Sequence, residues 1–569
     1  MSLPSHVWRA RRKLAIAGSA VVALSLILPA VAAAGPSGSV DVQLLAINDF
    51  HGNLEPPTGS SGVIGTTPAG GVEFLATHIK DLHATNPDRT LEVAAGDLIG
   101  ATPLISAAFH DEPAIEAMNA LGLDLSAVGN HEFDEGVDEI LRIQNGGCHP
   151  VDGCQDGDGY EGADFQYLAA NVVKKSNGKP ILPAYKIRSL GGAKIGFIGL
   201  TLEGTPSIVS PSGIQSVTFL DEAETINAAT AELKAKGIDS VVVLIHEGGA
   251  QGPGATVNGC ANFGGAIVDI VGELDDEVDL VISGHTHSFY NCMLANSEGR
   301  SIPVTSSSSF GRLVTDIDMT IDRTSGEPTR ITVDNKIVTR TVAPDAAQQA
   351  LVNEYRTAVA PIANRIVGSI TATITRTANA AGESPLGDVI ADAQLAYTQS
   401  AGAQLALMNP GGIRTDLTFG SSPGGEPAGQ VTFGEVFAVQ PFNNLVATVT
   451  LTGAQLKNVL EQQFPGFMGQ TVQRILQPSA GFTFSYDTTR VAGERVTDIR
   501  LNGIPIDPAA SYRVTVNNFL ADGGDGFTAL TAGTNRVTQD GFDVDALAEF
   551  IGANSPVAPG PADRVTKIA

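Results

Sequence analysis

Residues Leu123–Gly136 read LDLSAVGNHEFDEG: an apolar run of strand character, then an amide, an imidazole and two carboxylates within five residues, Asn130 to Asp134. Polar side chains that dense at the end of a buried strand are costly to desolvate unless something charged compensates them. The chain repeats the arrangement. NDFH (Asn48–His51) follows VQLLAI, Gly96 and Asp97 follow LEVAA, HEGG (His246–Gly249) follows VVVLI, and GHTH (Gly284–His287) follows VDLVIS. Polar blocks at the ends of successive strand-like runs share the C-terminal edge of an α/β sheet, where such sheets bind ligands.

Beyond these blocks, β-rich runs such as VDVQLLAI, TLEVAA, KIGFIGL and DSVVVLI alternate with helical patterns such as GVEFLATHIKDLHA and FLDEAETINAATAELKAKG. That alternation is the signature of an α/β layered domain, here spanning residues 40–342. The Gly- and Pro-rich PPTGSSGVIGTTPAGG reads as a long surface loop. DAAQQALVNEYRTAVAPIANRIVG has apolar positions at helical spacing and is expected to be a linker helix within residues 343–368. A second mixed α/β unit follows over residues 369–569. With 569 residues the chain exceeds what one hydrophobic core organises, consistent with two domains.

The 34 Lys and Arg residues against 61 Asp and Glu leave a formal net charge of −27, which argues against nucleic-acid polymers as partners. An anionic small substrate remains compatible, because a bound metal ion reverses the local field. A basic stretch, RARRK (Arg9–Lys13), precedes the apolar LAIAGSAVVALSLILPAVAAA, the pattern of a signal peptide over residues 1–34 cleaved near Ala34. The mature protein is then expected outside the cell without stable membrane insertion. Cys148, Cys154, Cys260 and Cys292 fit an oxidising compartment; of three possible pairings, proximity favours Cys148 with Cys154 and Cys260 with Cys292.

The blocks supply Asp49, His51, Asp97, Asn130, His246, His285 and His287, a mixture of carboxylate, imidazole and amide oxygen suited to two divalent ions such as Zn²⁺ or Mn²⁺. Asp49 and His51, two apart, share one face if the strand continues through them. Asp97 is the natural bridge between two ions. His78, His83, His110 and His149 lie outside the blocks and are expected to be solvent-facing helix or loop residues.

The ordered set DFH, GD, GNHE, HEGG and GHTH resembles the calcineurin-like metallophosphoesterases. That resemblance implies a four-layer αββα sandwich, with Asp49, His51, Asp97 and His287 on one ion and Asp97, Asn130, His246 and His285 on the other. It also implies that His131 and Asp134 form a catalytic dyad, the imidazole serving charge neutralisation or protonation and the carboxylate orienting it. Glu132 is given a local orienting role only.

In the second unit, MNPGGIRTDL, VQPFNNLV and VNNFLADGGDGF resemble the motifs of the 5'-nucleotidase C-terminal domain. The resemblance implies that Asn409 and Arg414 contact base or sugar and phosphate, Phe442 and Phe519 stack the base, and Asp525 binds ribose. Two departures stand out: Pro410 interrupts the glycine run, and Gly382 occupies a position near which some members carry a phosphate-binding arginine. The expected activity is that of a secreted dinuclear-metal 5'-nucleotidase releasing nucleoside and phosphate. A 2',3'-cyclic-nucleotide phosphodiesterase or UDP-sugar hydrolase would use the same metal site. A non-catalytic nucleotide-binding protein would be expected to have lost metal or dyad residues, and all are present.

Overall fold

A computed structural model describes residues 38–569 apart from residues 58, 156 and 158; the expected signal peptide lies outside the described residues. The first half is built on two six-stranded sheets. In one, Ser39–Ile47, Thr90–Ala95, Leu125–Ala127 and Gln166–Leu168 run parallel. Leu313–Asp322 and Pro328–Ile337 extend it antiparallel beyond Ser39–Ile47. In the other, Ala193–Thr201, Ser240–His246, Leu280–Ser283 and Ser301–Ser307 run parallel, with Tyr185–Leu190 and Phe289–Ala295 as antiparallel edges.

The parallel strands are near-continuous apolar runs because both of their faces are covered: every residue of Thr90–Ala95 and of Ser240–His246 is buried. Val42, Leu44, Val93, Leu125, Phe197, Val242, Leu244 and Ile317 fill the space between the sheets. Leu75 and Ile79 of helix Val72–His83, Ile115 and Met118 of Glu112–Leu121, and Ile140 of Val137–Asn145 cover the outer face of the first sheet. Ile226 and Leu233 of Glu222–Ala235, with Ile267 and Val271 of Ala266–Gly272, cover the outer face of the second. The result is the expected αββα sandwich. Each of these large aliphatic side chains contributes roughly 1.5–3 kcal/mol by leaving water.

Helix Ala346–Ala363 starts where Asp345 accepts from the amides of Ala347 and Gln348. Its buried face, Gln348, Val352, Tyr355 and Val359, repeats at helical spacing. Gln348 donates to the Ala117 carbonyl at 2.8 Å, the Tyr355 hydroxyl donates to Glu116 at 2.8 Å, and the Tyr355 ring meets Phe109 edge-on at 4.9 Å. One apolar cluster continues from Ile115 through Val352 and Val359 to Leu386, Val436 and Leu547. The connecting helix is therefore shared core, packed against both halves.

The second half has a five-stranded sheet around Ser511–Asn517 and a four-stranded sheet around Phe482–Tyr486. The Gly- and Pro-rich segment expected as plain loop contains a short hairpin, Val63–Ile64 with Thr67–Pro68. Cys148 pairs with Cys154 and Cys260 with Cys292, as proximity suggested. Among the described residues no helix is long and apolar enough to cross a membrane.

The second disulfide spans 32 residues and the first only 6. In the loop-entropy model the longer closure contributes about 4 kcal/mol and the shorter about 2. Replacing both Cys260 and Cys292 by Ser should therefore lower Tm more than the Cys148/Cys154 double replacement, measured by calorimetry on matched samples.

Candidate metal centre and interdomain cleft

The polar blocks meet at the C-terminal ends of the parallel strands, on the edge where the two sheets adjoin. Asp49, His51, Asp97, Asn130 and His246 are each at most 2 % exposed. His51 Nε2 faces His287 Nε2 at 3.1 Å, and His287 Nε2 is 3.3 Å from Asp49 Oδ1. His246 Nε2 lies 2.9 Å from Asp97 Oδ2, and His285 Nδ1 lies 3.0 Å from Asn130 Oδ1. Donor atoms thus gather as Asp49, His51 and His287 on one side and Asp97, His246 and His285 on the other, with His51, Asp97 and His131 between them.

The local backbone departs from the simplest reading. Asp49 and His51 do not share a strand face, because the strand ends at Ile47 and both residues are left-handed, at φ 50° and 47°. Asp97, His285 and His287 are left-handed too, at φ 51°, 69° and 54°. Such conformations cost non-glycine residues of order 1–3 kcal/mol each and persist only where the surroundings impose them. Two glycines allow the loops to close. A Cβ on Gly129 would fall on Asp97 Oδ1, and one on Gly284 would lie 3.0 Å from Asp49 Oδ2 and from His246 Nδ1.

Whether these residues suit a pair of metal ions can be judged from unmet valence. Asp49 Oδ1 and His246 Nε2 are buried without hydrogen-bond partners. His51 donates through Nδ1 to the Gly100 carbonyl and His246 through Nδ1 to the Ala95 carbonyl, both at 2.8 Å. Each therefore aims Nε2 into the cluster, as metal-binding histidines do when a carbonyl anchors the other ring nitrogen. Burial opposes charge here, yet His246 and His131 hold the Asp97 carboxyl well below the usual range. Burial likewise depresses the His246 imidazolium, but Asp97 outweighs it and lifts that group to about 10. The cluster calls for positive charge, and the donor set fits divalent ions.

Further residues brace these donors. Glu132 reaches under both loops, accepting from the amides of Asp97 at 3.0 Å, Leu98 at 2.8 Å and Gly129. Asn48, which carries no weight in the sequence pattern, donates to Asp49 Oδ2 at 2.6 Å and accepts from Ser307. Asp111 accepts from the Gly100 amide and the hydroxyls of Thr102 and Ser106. His131 donates from Nδ1 to Asp134 Oδ2 at 2.7 Å, and its amide donates to Asp97 Oδ1 at 2.9 Å.

Two side chains of the second half arrive at the same place. The Phe442 ring stacks on His131 with centroids 5.8 Å apart, and the Arg414 guanidinium lies 5.7 Å from the Phe442 centroid. Burial and Arg376 depress the Arg414 guanidinium, while Asp134, Asp97 and Asp49 support its charge. Asn409 donates to Asp525 Oδ2 at 2.8 Å, and Arg474, for which the sequence carries no signal, approaches Asp525 Oδ1 at 3.3 Å. Phe519 lies over Gly524, where a Cβ would meet its ring. Arg376 lines a cavity of about 340 Å³ with Gly382, Pro410 and Gln477. Of the histidines set aside, His110 and His149 are not free surface residues: their side chains are 18 % and 14 % exposed and their rings stack.

Comparison with known proteins follows these two halves. Residues 42–289 match the calcineurin-like phosphoesterase family and residues 361–532 the 5'-nucleotidase C-terminal domain. The chain is similar to endonuclease YhcR of Bacillus subtilis, 31 % identical over 538 residues that cover 92 % of this chain and 40 % of YhcR. It is 33 % identical to cell wall protein Lmo0130 of Listeria monocytogenes, covering 90 % of this chain and 67 % of that protein. It thus spans about two fifths of the first relative and two thirds of the second. The crystal structure of a 5'-nucleotidase precursor from Thermus thermophilus superposes with a TM-score of 0.76 at 28 % identity, over 93 % of this chain and 99 % of that one.

Glu132→Gln would turn one oxygen toward backbone amides as an NH₂ group, leaving donors facing donors in a dry site at a cost of about 1–3 kcal/mol. The variant should melt several degrees lower and retain less metal after gel filtration, read by calorimetry and elemental analysis. Unchanged melting and metal content would remove this bracing role from Glu132.

Proposed function

This chain belongs to the 5'-nucleotidase family of calcineurin-like phosphoesterases, and from that premise we propose that it is an exported dinuclear-metal phosphohydrolase that removes the 5'-phosphate of nucleotides. The observation that carries the reading is the meeting of Arg414 and Phe442 with His131. A cation and an aromatic face from one half stand against the imidazole of the other, which suits a substrate with both a phosphate and a base. Export is supported by the two disulfides.

Asp49, His51, Asp97, Asn130, His246, His285 and His287 would hold two divalent ions. When bound, such ions supply charge neutralisation at phosphorus and acidify the attacking water. The rest falls to side chains. With Nδ1 held by Asp134, His131 presents Nε2 to the substrate, and as imidazolium it passes its proton to the departing O5' as the P–O5' bond breaks and the water oxygen bonds to phosphorus. The Asp134 carboxylate keeps that ring oriented and stabilises its charged form. Arg414 neutralises phosphoryl oxygens with a fork of N–H donors. Phe442 and Phe519 offer faces to the base, and Asp525, oriented by Asn409 and Arg474, accepts from ribose hydroxyls.

A second reading is favoured by the cavity at Arg376 and Gly382. Beside Arg414 it offers a cationic wall and room for a substituent on the phosphate, as a cyclic or diester substrate requires.

Phosphate release from AMP, 2',3'-cyclic AMP, ADP, UDP-glucose and bis(p-nitrophenyl) phosphate, with and without chelator, separates the two. Chelator-sensitive preference for AMP is expected; preference for cyclic or diester substrates would replace the first reading by the second. His131→Ala should lower kcat by about 10²–10⁴-fold with metal content unchanged, measured on AMP alongside elemental analysis. Phe519→Ala should raise KM for AMP by roughly tenfold and spare p-nitrophenyl phosphate.

A further inference from the structure

In the second half, the segment between helix Gly453–Glu461 and strand Gln477–Pro478 closes around Asp525. It turns tightly: the Gly466 amide donates to the Gln470 carbonyl at 2.9 Å, and the Gln470 amide to the Phe467 carbonyl at 3.0 Å. Gln470 is buried and donates through Nε2 to the Asp525 carbonyl at 2.9 Å. Its Oε1 accepts from the amides of Thr471 and Val472 and from Arg474 Nη1, the last at 3.3 Å. Arg474, whose own amide donates to the Gln463 carbonyl, directs Nε toward Asp525 Oδ1 at 3.3 Å. One loop thus grips Asp525 by its backbone and by its carboxylate.

Asp525 needs that grip. It is left-handed at φ 56°, a conformation that persists in a non-glycine residue only where the surroundings impose it. Burial pushes its carboxyl up, and Arg474 opposes this most, ahead of Asn409 and Arg414. An ionised carboxylate carries about four acceptor positions on its two oxygens. Asn409 occupies one on Oδ2 and Arg474 one on Oδ1, which leaves one on each, the pattern that two vicinal hydroxyls match. A neutral carboxyl turns one oxygen into a donor. The cation beside Asp525 therefore decides how many hydroxyls it accepts.

We infer that Arg474, held by Gln470, makes the nucleoside subsite select ribose over 2'-deoxyribose, by leaving both Asp525 oxygens open as acceptors to the 2' and 3' hydroxyls together. The inference rests on the reading of Asp525 as the ribose acceptor and adds to it the sugar class and the residue that sets it. Arg474 is a positioning residue here, acting through Asp525. A 2'-deoxyribose brings one hydroxyl fewer and leaves a charged acceptor unpaired in a buried site, which such sites reject. Removing the cation removes that penalty, because the Asp525 carboxyl then takes up a proton and no longer requires a second donor.

The test titrates adenosine and 2'-deoxyadenosine, which carry no phosphate to hydrolyse, into the intact protein and its Arg474→Met and Arg474→Lys variants by calorimetry. The wild type should bind adenosine roughly 10–100-fold more tightly than 2'-deoxyadenosine. Arg474→Met should bring that ratio close to one through weaker adenosine binding, and Arg474→Lys, which restores a cation, should keep most of it. A merely structural role would weaken both nucleosides alike and leave their ratio. A wild-type ratio in Arg474→Met, or a ratio lost in Arg474→Lys as well, would overturn the proposal while the ribose role of Asp525 stands. Equal binding of the two nucleosides by the wild type, or none, would instead overturn that role of Asp525 and the proposal with it. Should near-UV circular dichroism show Arg474→Met misfolded, Gln470→Met carries the measurement. It frees the guanidinium from its tether and should lower the ratio, and an unchanged ratio would overturn the proposal.

Discussion

Two carboxylates removed from water, Asp49 and Asp97, govern the architecture around them. Both are at most 1 % exposed, and one oxygen of Asp49 has no hydrogen-bond partner. An isolated carboxylate in such a place is strongly destabilising, so the surrounding loops are arranged to deliver compensation. Some of it comes from amides and side-chain donors: His285 N and Asn48 to Asp49, and His131 N to Asp97. The larger part is left to positive charge, and the imidazoles facing both carboxylates mark where it is received. The left-handed residues and the glycines that allow close approach are consequences of bringing so many donors to one place.

The sandwich makes that convergence sustainable. Parallel strands covered on both faces are rigid, and their C-terminal ends in the two sheets lie close enough for Ala95 of one sheet to accept from His246 of the other. Strain in the loops is borne by a core of aliphatic contacts that does not itself enter the site. Glu132 extends the same principle. Burial and the Asp97 charge push its carboxyl up to about 7, against the three amide donors that hold it down. The result ties the two loops carrying Asp97 and Asn130 to one side chain.

The connecting helix does for the two halves what the strands do within one. Tyr355 and Gln348 attach it to the outer helices of the sandwich, and Val352 and Val359 belong to the apolar cluster that continues to Val436. Helix Phe433–Val439, which carries Val436, leads directly into Phe442. The ring that stacks on His131 is therefore positioned from the same core that supports the His131–Asp134 pair, and the interdomain cleft is a product of packing.

The sandwich class, and the edge on which Asp49, His51, Asp97, Asn130, His246, His285 and His287 converge, were legible in the chain because each depends on local pattern: continuous apolar runs for doubly covered strands, and dense polar blocks that need compensation at their ends. Disulfide pairing followed from proximity, and the helix at Ala346–Ala363 from apolar spacing. What the linear order could not carry were relations between distant segments. Asp49 and His51 read as neighbours on a strand face, whereas left-handed turns set by contacts with Gly96, Asp97 and Phe310 aim them. Asn48, Glu132 and Arg474 meet partners tens to hundreds of residues away, and His110 stacks on His149. Composition and periodicity report which faces are buried; only the closed structure decides which buried groups meet, because hydrogen bonds and charge act over a few ångströms whatever the separation along the chain.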